Sequence, residues 1–436
     1  MQTENYRIKS SPAKWTQKPL AQLLQSMTSG SRPSGGGSTE AGGVFSIGGE
    51  HITNWGTLDC SNGVYVPIDY FERIRQQAEV RHRDILINKD GANTGKLGIA
   101  RQSYLPEQAC INEHVFRLRT KATELDQTYA FFFLLSPFGQ SQVLPLVQGS
   151  AQPGLNQRFT KRVRVWFPTD LNEQAAIAHA LDAVDTAIDC TRVAVERARE
   201  LDHSLLHELL ANGLNPTRLS AQKHPPHWKL RRVDEVAEVG SGVTLGKDVS
   251  GFKAVELPYL RVANVQDSRL DLSTVKSVRV RLDEVEDYRL EAGDILMTEG
   301  GDIDKLGRGT IWEGQIPVCL HQNHVFRIRP NRELLEPGFY SLIVESDIAK
   351  RYFNRVAKRT TNLASTNKTQ VRAFRFPLPP TVGEQRQIVE VMKAAKATLG
   401  ALLARQTALS ELKKALMHDL LTGRIRVTSK IAAAAT

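Results

Sequence analysis

Cysteine is scarce in this 436-residue chain: there are four, Cys60, Cys110, Cys190 and Cys319, far apart and with no C-x-x-C pair. Such spacing supports neither a disulfide scaffold nor a zinc ribbon, and free thiols in a reducing cytosol fit it best. Long apolar runs are also missing. No stretch approaches the ~18 apolar residues that span a bilayer, and the polar segment Met1 to Ser10 lacks the apolar core of a signal peptide. The expectation is a soluble, cytoplasmic chain with no membrane contact.

Familiar catalytic signatures are absent too. There is no G-x-S-x-G elbow, no glycine-rich dinucleotide fingerprint, and neither the F-x-G-x-G nor the Asn/Asp-Pro-Pro-Tyr/Phe motif of a DNA methyltransferase. Gly91-x-x-x-Gly95-Lys96 falls short of a nucleotide loop, because only three residues separate its glycines and Leu97 follows the lysine. His224-x-x-His227 and His321-x-x-His324 have no Cys or Glu to complete a ligand set. Neither a catalytic residue nor a metal site is expected.

What is present is a folded, basic chain. Apolar residues make up 41% and charged residues 24%, the balance of a globular protein, and the length calls for several structural units. The net charge of +10 favours a polyanionic partner, although solubility alone would produce the same excess.

The chain also repeats itself. Pro12-x-x-Trp15 returns as Pro225-x-x-Trp228, and Phe45-Ser46-Ile47 returns near Tyr259-Leu260, at an offset of 213 residues. Asp84-Ile85-Leu86-Ile87 matches Asp294-Ile295-Leu296-Met297, and His114 to Arg119 (HVFRLR) matches His324 to Arg329 (HVFRIR), at 210. Phe167-Pro168 resembles Phe376-Pro377 at 209, and Glu173-Gln174 matches Glu384-Gln385 at 211. A co-linear series of this length is a duplication, and the drift in offset is what surface loops tolerate.

Each half opens with short segments broken by Gly, Pro, Asn and Asp. Asp84 to Ile87, Val115 to Leu118, Val163 to Phe167, Asp294 to Met297 and Val325 to Ile328 read as strands, and Tyr129 to Leu135 and Phe339 to Val344 as helices. These are compact α+β domains. A long helix follows each one. Ile177, Leu181, Val184 and Ile188, continuing toward Leu201, Leu205 and Leu209, alternate steps of four and three, and so do Ile388, Met392, Ala395, Leu399 and Leu402. Asp170-x-x-Glu173 and Thr381-x-x-Glu384 resemble capping boxes, and Gly213 and Gly423 mark the ends.

At about 40 residues each helix would run roughly 60 Å, further than a small domain is wide. The cheapest partner for its single apolar stripe is its own duplicate, packed antiparallel as a coiled coil about a pseudo-two-fold axis. The fold class expected is therefore α+β, with two mixed globular domains separated by two long antiparallel coiled-coil helices. The boundaries expected are 1–168 for the first domain, 169–213 for its helix and 214–224 for a linker. Residues 225–380 form the second domain, 381–425 its helix and 426–436 a flexible tail.

Basic and amide side chains cluster in corresponding places. Lysine and arginine supply phosphate contacts, while Arg, Asn and Gln read base edges. Candidate DNA-binding residues in the first half are Lys89, Asn93, Lys96, Gln152, Asn156, Gln157, Arg158 and Lys161. In the second they are Arg261, Asn264, Lys305, Arg308, Lys358, Arg359, Thr361, Asn362 and Lys368. The glycine-rich stretch Ser29 to Gly43 reads equally as a loop that orders on DNA or as a plain insertion.

In this order the motifs resemble the specificity subunit of type I restriction-modification enzymes. The carriers are the two P-x-x-W openings, GGEHI at Gly48 to Ile52, PYLRVANV at Pro258 to Val265, the two HVFR stretches, the EQ-led helices and the endings HELLANG and HDLLTG. The resemblance implies two target-recognition domains that each read half of a bipartite, asymmetric double-stranded DNA site, with the helices as a ruler. It also implies docking of two methyltransferase (modification) subunits and, through them, restriction (motor-nuclease) subunits. S-adenosylmethionine, ATP and Mg²⁺ would sit on those partners, and this chain would hold no cofactor. The readings that compete with it are a stand-alone nuclease or methyltransferase and a scaffold that binds protein only.

Overall fold

The computed structural model describes residues 14–40, 42–149, 153–214, 224–302, 306–359 and 363–427. The chain divides into two compact units, one of residues up to Arg192 together with those from Ala404 onward, the other of Val193–Leu403. Each has its own core, and the two cores repeat one plan.

In the first unit an antiparallel sheet runs in the order Leu24–Ser29, Val115–Thr120, Ile85–Asn88, Leu97–Ile99. Its central strands are buried nearly along their length: Ile85–Asn88 as an aliphatic run, and Val115–Thr120 as alternating apolar residues and arginines whose charges are paired or hydrogen-bonded. A smaller sheet places Val44–Ile47 between Val64–Val66 and Ala109–Ile111, the last pairing being parallel. Trp15–Pro19 pairs with Arg164–Pro168 and so ties the start of the domain to its end. Gln127–Leu135 forms a helix buried on nearly all sides, as its apolar run requires.

The second unit carries the same set. Its four-stranded sheet runs Ala237–Ser241, Val325–Pro330, Ile295–Thr298, Gly309–Ile311. Its smaller sheet places Ala254–Leu260 between Lys276–Arg281 and Leu320–His321, again with one parallel pairing, and Lys229–Arg232 pairs with Arg375–Leu378. Burial raises the thiols of Cys110 and Cys319 to about 11 and about 12, which keeps both protonated and inert.

Register corrects one step of the repeat. Thr16 pairs with Phe167, and Lys229, its duplicate, pairs with Leu378. The counterpart of Phe167-Pro168 is therefore Leu378-Pro379 at offset 211, and the likeness of Phe376-Pro377 is accidental.

A buried glutamine confirms that register in both units. Gln174 Nε2 donates to the carbonyls of Glu124 and Pro168 at 3.1 and 2.8 Å, and its Oε1 accepts from the Asp126 amide at 2.7 Å. Gln385 does the same with Leu334, Pro379 and Glu336 at 3.0, 3.3 and 2.7 Å. Both side chains are fully buried. Each staples the first turn of a long helix to the domain before it.

The long helices span Leu171–Asn212 and Val382–Leu421, and each is divided between the units. In the first unit Ile177 and Leu181 share a core with Met417, Leu420 and Leu421. In the second Leu206, Leu209 and Leu210 share one with Ile388 and Met392. First turns meet last turns, so the pairing is antiparallel. Ile188 is buried as well, whereas Val184, Leu399 and Leu402 are half-buried. Leu201 is 62% exposed and lies off the seam, because the buried positions in the last turns step to Leu206, Leu209 and Leu210.

The helix starts are half of what a capping box would be. Asp170 Oδ1 accepts from the Asn172 amide at 2.9 Å and Thr381 Oγ1 from the Glu384 amide at 3.2 Å. Neither glutamate bonds back. Glu173 is held by Arg426 at 2.5 and 2.7 Å, and Glu384 accepts from Trp228 Nε1 at 2.8 Å, so both carboxylates fasten tertiary structure instead. Gly213 and Gly423 do end the helices, at φ of +68° and +70°, where a side chain would be strained.

Candidate nucleic-acid interface

The strand Ile85–Asn88 leads into a turn, residues 89–96, that reverses into Leu97–Ile99. Asn88 and Lys96 close it, with the Asn88 amide on the Lys96 carbonyl at 2.9 Å, and Gly91 and Gly95 take positive φ at its corners. Beside it stands the hairpin Val147–Gln148 and Gly154–Leu155. The Gly91 amide bonds to the Pro153 carbonyl at 2.9 Å and the Leu155 amide to the Lys89 carbonyl at 2.6 Å, while Thr94 Oγ1 reaches the Pro153 carbonyl at 3.0 Å. Lys89, Asn93 and Lys96 are thereby brought up to the hairpin and to the exposed run Asn156, Gln157, Arg158 that follows it.

The second unit builds the same surface. Gly300–Asp302, which follows the strand Ile295–Thr298, pairs with Leu363–Ser365 of a hairpin whose other strand is Lys358–Arg359. The Thr366 amide bonds to the Glu299 carbonyl at 2.7 Å, as Leu155 does to Lys89. A recess of about 630 Å³ opens here, lined by Val262, Glu299, Gly300, His324, Lys358 and Ser365 among others. Lys358 and Arg359 are exposed and Lys368 is half-exposed at the start of a short helix capped by Asn367, whose Oδ1 accepts from the Gln370 amide at 2.9 Å.

Several candidates have other work. Asn264 is buried, and its side chain is saturated: Nδ2 donates to the Asp271 and Thr274 carbonyls at 2.8 and 3.0 Å, and Oδ1 accepts from the Arg261 amide at 2.9 Å. No polar atom is left for a base edge, so Asn264 is a framework residue. His51 plays the same part in GGEHI, accepting the Gly48 amide at 2.8 Å. Arg308 Nη1 is engaged by Gln266 Oε1 at 3.1 Å, and the Asn156 side chain accepts the Arg158 amide at 2.9 Å. Lys89 lies over the Phe116 ring, 5.4 Å from its centroid, with Nζ 3.3 Å from Ser29 Oγ. Gln152, Lys305, Thr361 and Asn362 lie outside the described residues.

The glycine-rich stretch is docked at Gly30, Gly37 and Gly43 and open at Gly35, Gly36 and Gly42, where an added Cβ would meet nothing. A Cβ on Gly37 would sit 2.2 Å from the Val64 side chain and one on Gly30 1.7 Å from the Ile111 carbonyl, so backbone approaches backbone there.

The repeated HVFR stretches hold this surface up. Arg119 forks onto Asp84 at 2.6 and 2.7 Å and Arg329 onto Asp294 at 2.8 Å, and in each pair the bond to the carboxylate raises the guanidinium pKa. His114 Nδ1 meets Asp90 Oδ1 at 2.6 Å and His324 Nδ1 meets Glu299 Oε2 at 2.5 Å, one histidine–carboxylate pair at the root of each turn. Sequence reasoning missed these pairs as positioning groups, although a repeated His beside a repeated Asp-Ile-Leu strand was the available signal. The two histidine spacings bring no metal set together. His321 is buried on the Val325 carbonyl, and among the described residues no group of three or more His, Cys, Asp or Glu side chains gathers.

The model of the type I restriction modification DNA specificity domain matches this chain twice, over residues 12–196 and 225–409. The MjaVIII specificity subunit of a type I restriction enzyme from Methanocaldococcus jannaschii is 22% identical over 360 residues, 80% of either chain. A second protein of that organism, named as the MjaX specificity subunit, is 29% identical over 202 residues. That match spans 45% of this chain and under half, 46%, of the relative's length. Among solved structures, the S subunit of a type I restriction-modification system from M. genitalium superposes with a TM-score of 0.61 at 16% identity, covering 96% of this chain and 98% of that one.

Proposed function

The chain belongs to the type I restriction modification DNA specificity family, and from that premise we propose that each unit reads one half of a bipartite, asymmetric duplex site. The observation that carries this reading is the duplicated turn-and-hairpin surface, whose exposed rim holds Gln157, Arg158 and Lys161 in one unit and Lys358, Arg359 and Lys368 in the other. No ion pair engages these cations among the described residues. Lysine and arginine on such a rim fix register on phosphates, and the amides beside them read base edges. Because the framework is shared and the rims differ, the half-sites differ.

The paired long helices set the distance between half-sites. The helical regions dock two methyltransferase subunits and through them the restriction subunits, which carry S-adenosylmethionine, ATP and Mg²⁺. This chain contributes recognition without catalysis, in the cytoplasm where the host DNA lies.

Mapping of methylated sites in cells carrying the complete system tests the reading. Exchange of residues 225–380 for the same domain of a relative is expected to change one half-site only. Removal of one matched heptad from each long helix shortens it by about 10 Å and is expected to shorten the spacer by about three base pairs. An exchange that alters both half-sites, or neither, would refute it.

A further inference from the structure

The apolar seam of the long helices does not by itself say which helix belongs with which. In the first unit Ile177 and Leu181 pack with Leu421 and Met417; in the second Ile388 and Met392 pack with Leu210 and Leu206. These are the same positions 211 residues apart. A first helix paired with the first helix of another chain would set Ile177 and Leu181 against Leu210 and Leu206, contacts as apolar as the native ones. Hydrophobic burial is non-directional and cannot reject that arrangement.

Charge can. Asp185 is 3% exposed at the seam of the first unit, where it is bonded to Lys413 and, at 2.9 Å, to Arg101. The repeat maps Asp185 onto Lys396 and Lys413 onto Asp202, so both signs are reversed in the second unit. The anchor is of opposite sign too, although it comes from another element: Lys396 Nζ bonds at 2.5 Å to Glu345, at the end of the helix Pro337–Glu345, whereas Asp185 bonds to Arg101, just past the strand Leu97–Ile99. Asp202 Oδ1 is buried there without a hydrogen bond, so its charge is poorly screened by water.

With the native partner Asp185 lies opposite Lys413, and the repeat sets Asp202 at the position opposite Lys396. With a copy of itself, the first helix would set Asp185 against Asp202 twice, and the second would set Lys396 against Lys413 twice. We propose that these four residues select the opposite half of the same chain as the helix partner and exclude the matching half of a second copy. Like charges at half-buried seam positions are the means by which coiled coils reject wrong partners.

Two full-length variants test this after unfolding and refolding at high concentration, with mass measured by light scattering. D202K/K413D keeps the net charge, Asp185–Arg101 and Lys396–Glu345, but makes the native pairing repulsive and both like-with-like pairings attractive. It is expected to give on the order of tenfold more two-chain species than the parent, persisting on dilution because strands must unfold to separate. D202N/K413Q removes repulsion from every pairing and is expected to give an intermediate increase. A folded D202K/K413D that stays single-chain overturns the proposal, as does a two-chain species that falls apart on dilution. Should D202K/K413D not refold, D202N/K413Q decides: no more two-chain species than the parent overturns the proposal.

Discussion

In the first unit the turn after the central strand is bonded to its hairpin around one β-bridge, Asp90 with Gly154; in the second the same turn is drawn into a ladder of three paired residues, Gly300–Asp302 on Leu363–Ser365. A glycine stands at the contact in both, but on opposite members: Gly154 in the hairpin of one unit, Gly300 in the turn of the other. A Cβ on Gly300 would come 2.7 Å from the Ala364 carbonyl. The approach is preserved while the residues that make it have changed places. Deeper in, two supports are unchanged: Asp84–Arg119 and Asp294–Arg329, and Gln174 and Gln385, keep the same atoms on equivalent partners. Duplication has held the support fixed and let the rim diverge, which suits one frame carrying two readers.

The largest effect is expected where the units are most alike. Gln174→Ala or Gln385→Ala leaves one amide and two carbonyls without the partners they have, at a cost of about 3–5 kcal/mol to the unit affected. Hydrogen exchange at the Asp126 and Glu336 amides would read each loss separately. Equal losses keep the frame symmetrical; a loss in one unit alone would break the comparison.

A slightly smaller effect separates the units by pH. His321 occupies the position of Ile111, and burial, against a partly offsetting bond to the Val325 carbonyl, lowers its pKa from 6.5 to about 4. A folded pKa below the unfolded one means the unfolded state binds the extra proton. The stability that depends on neutral His321 is therefore complete above pH 6.5 and lost as pH falls toward 4, about 3 kcal/mol in all. His321→Ile should remove that slope from the second unit, read by urea unfolding at pH 7 and pH 4.5. A slope that persists in the variant would assign the acid sensitivity to other groups.

Much of the frame was legible because it rests on short-range signals. Asp-Ile-Leu opens an apolar run at strand length, HVFR alternates apolar and basic residues as a strand does, and the EQ pair begins a periodic helix. Asn264 was misread for a physical reason: an asparagine in a polar stretch looks like a base reader, and only the turn that folds Asp271 and Thr274 over it shows its amide to be saturated. The histidine–carboxylate pairs went unread because the repeat flags the histidine but not its partner: Asp90 sits in the turn after Ile85–Asn88, and in the second unit the carboxylate comes from Glu299, one position before the repeat equivalent of Asp90. The reversal of Asp185 and Lys413 into Lys396 and Asp202 was visible as letters, but its meaning required knowing which positions face each other across an antiparallel pair.

The smallest expected effect bears on the rims themselves and rests on the proposed reading. Arg158→Ala/Lys161→Ala in the first unit and Lys358→Ala/Arg359→Ala in the second each remove two exposed cations without touching the frame. If both rims lie on phosphates, either double change should lower the slope of log affinity against log salt by about two and weaken binding of the assembled complex at low salt by roughly tenfold or more. Neither should alter which bases are preferred, since phosphate contacts carry no sequence information. A response confined to one pair would mean that the hairpin laddered to its turn over three residues and the one paired with its turn at one β-bridge meet DNA differently, and that the divergence between the units reaches the docking geometry as well as the residues displayed.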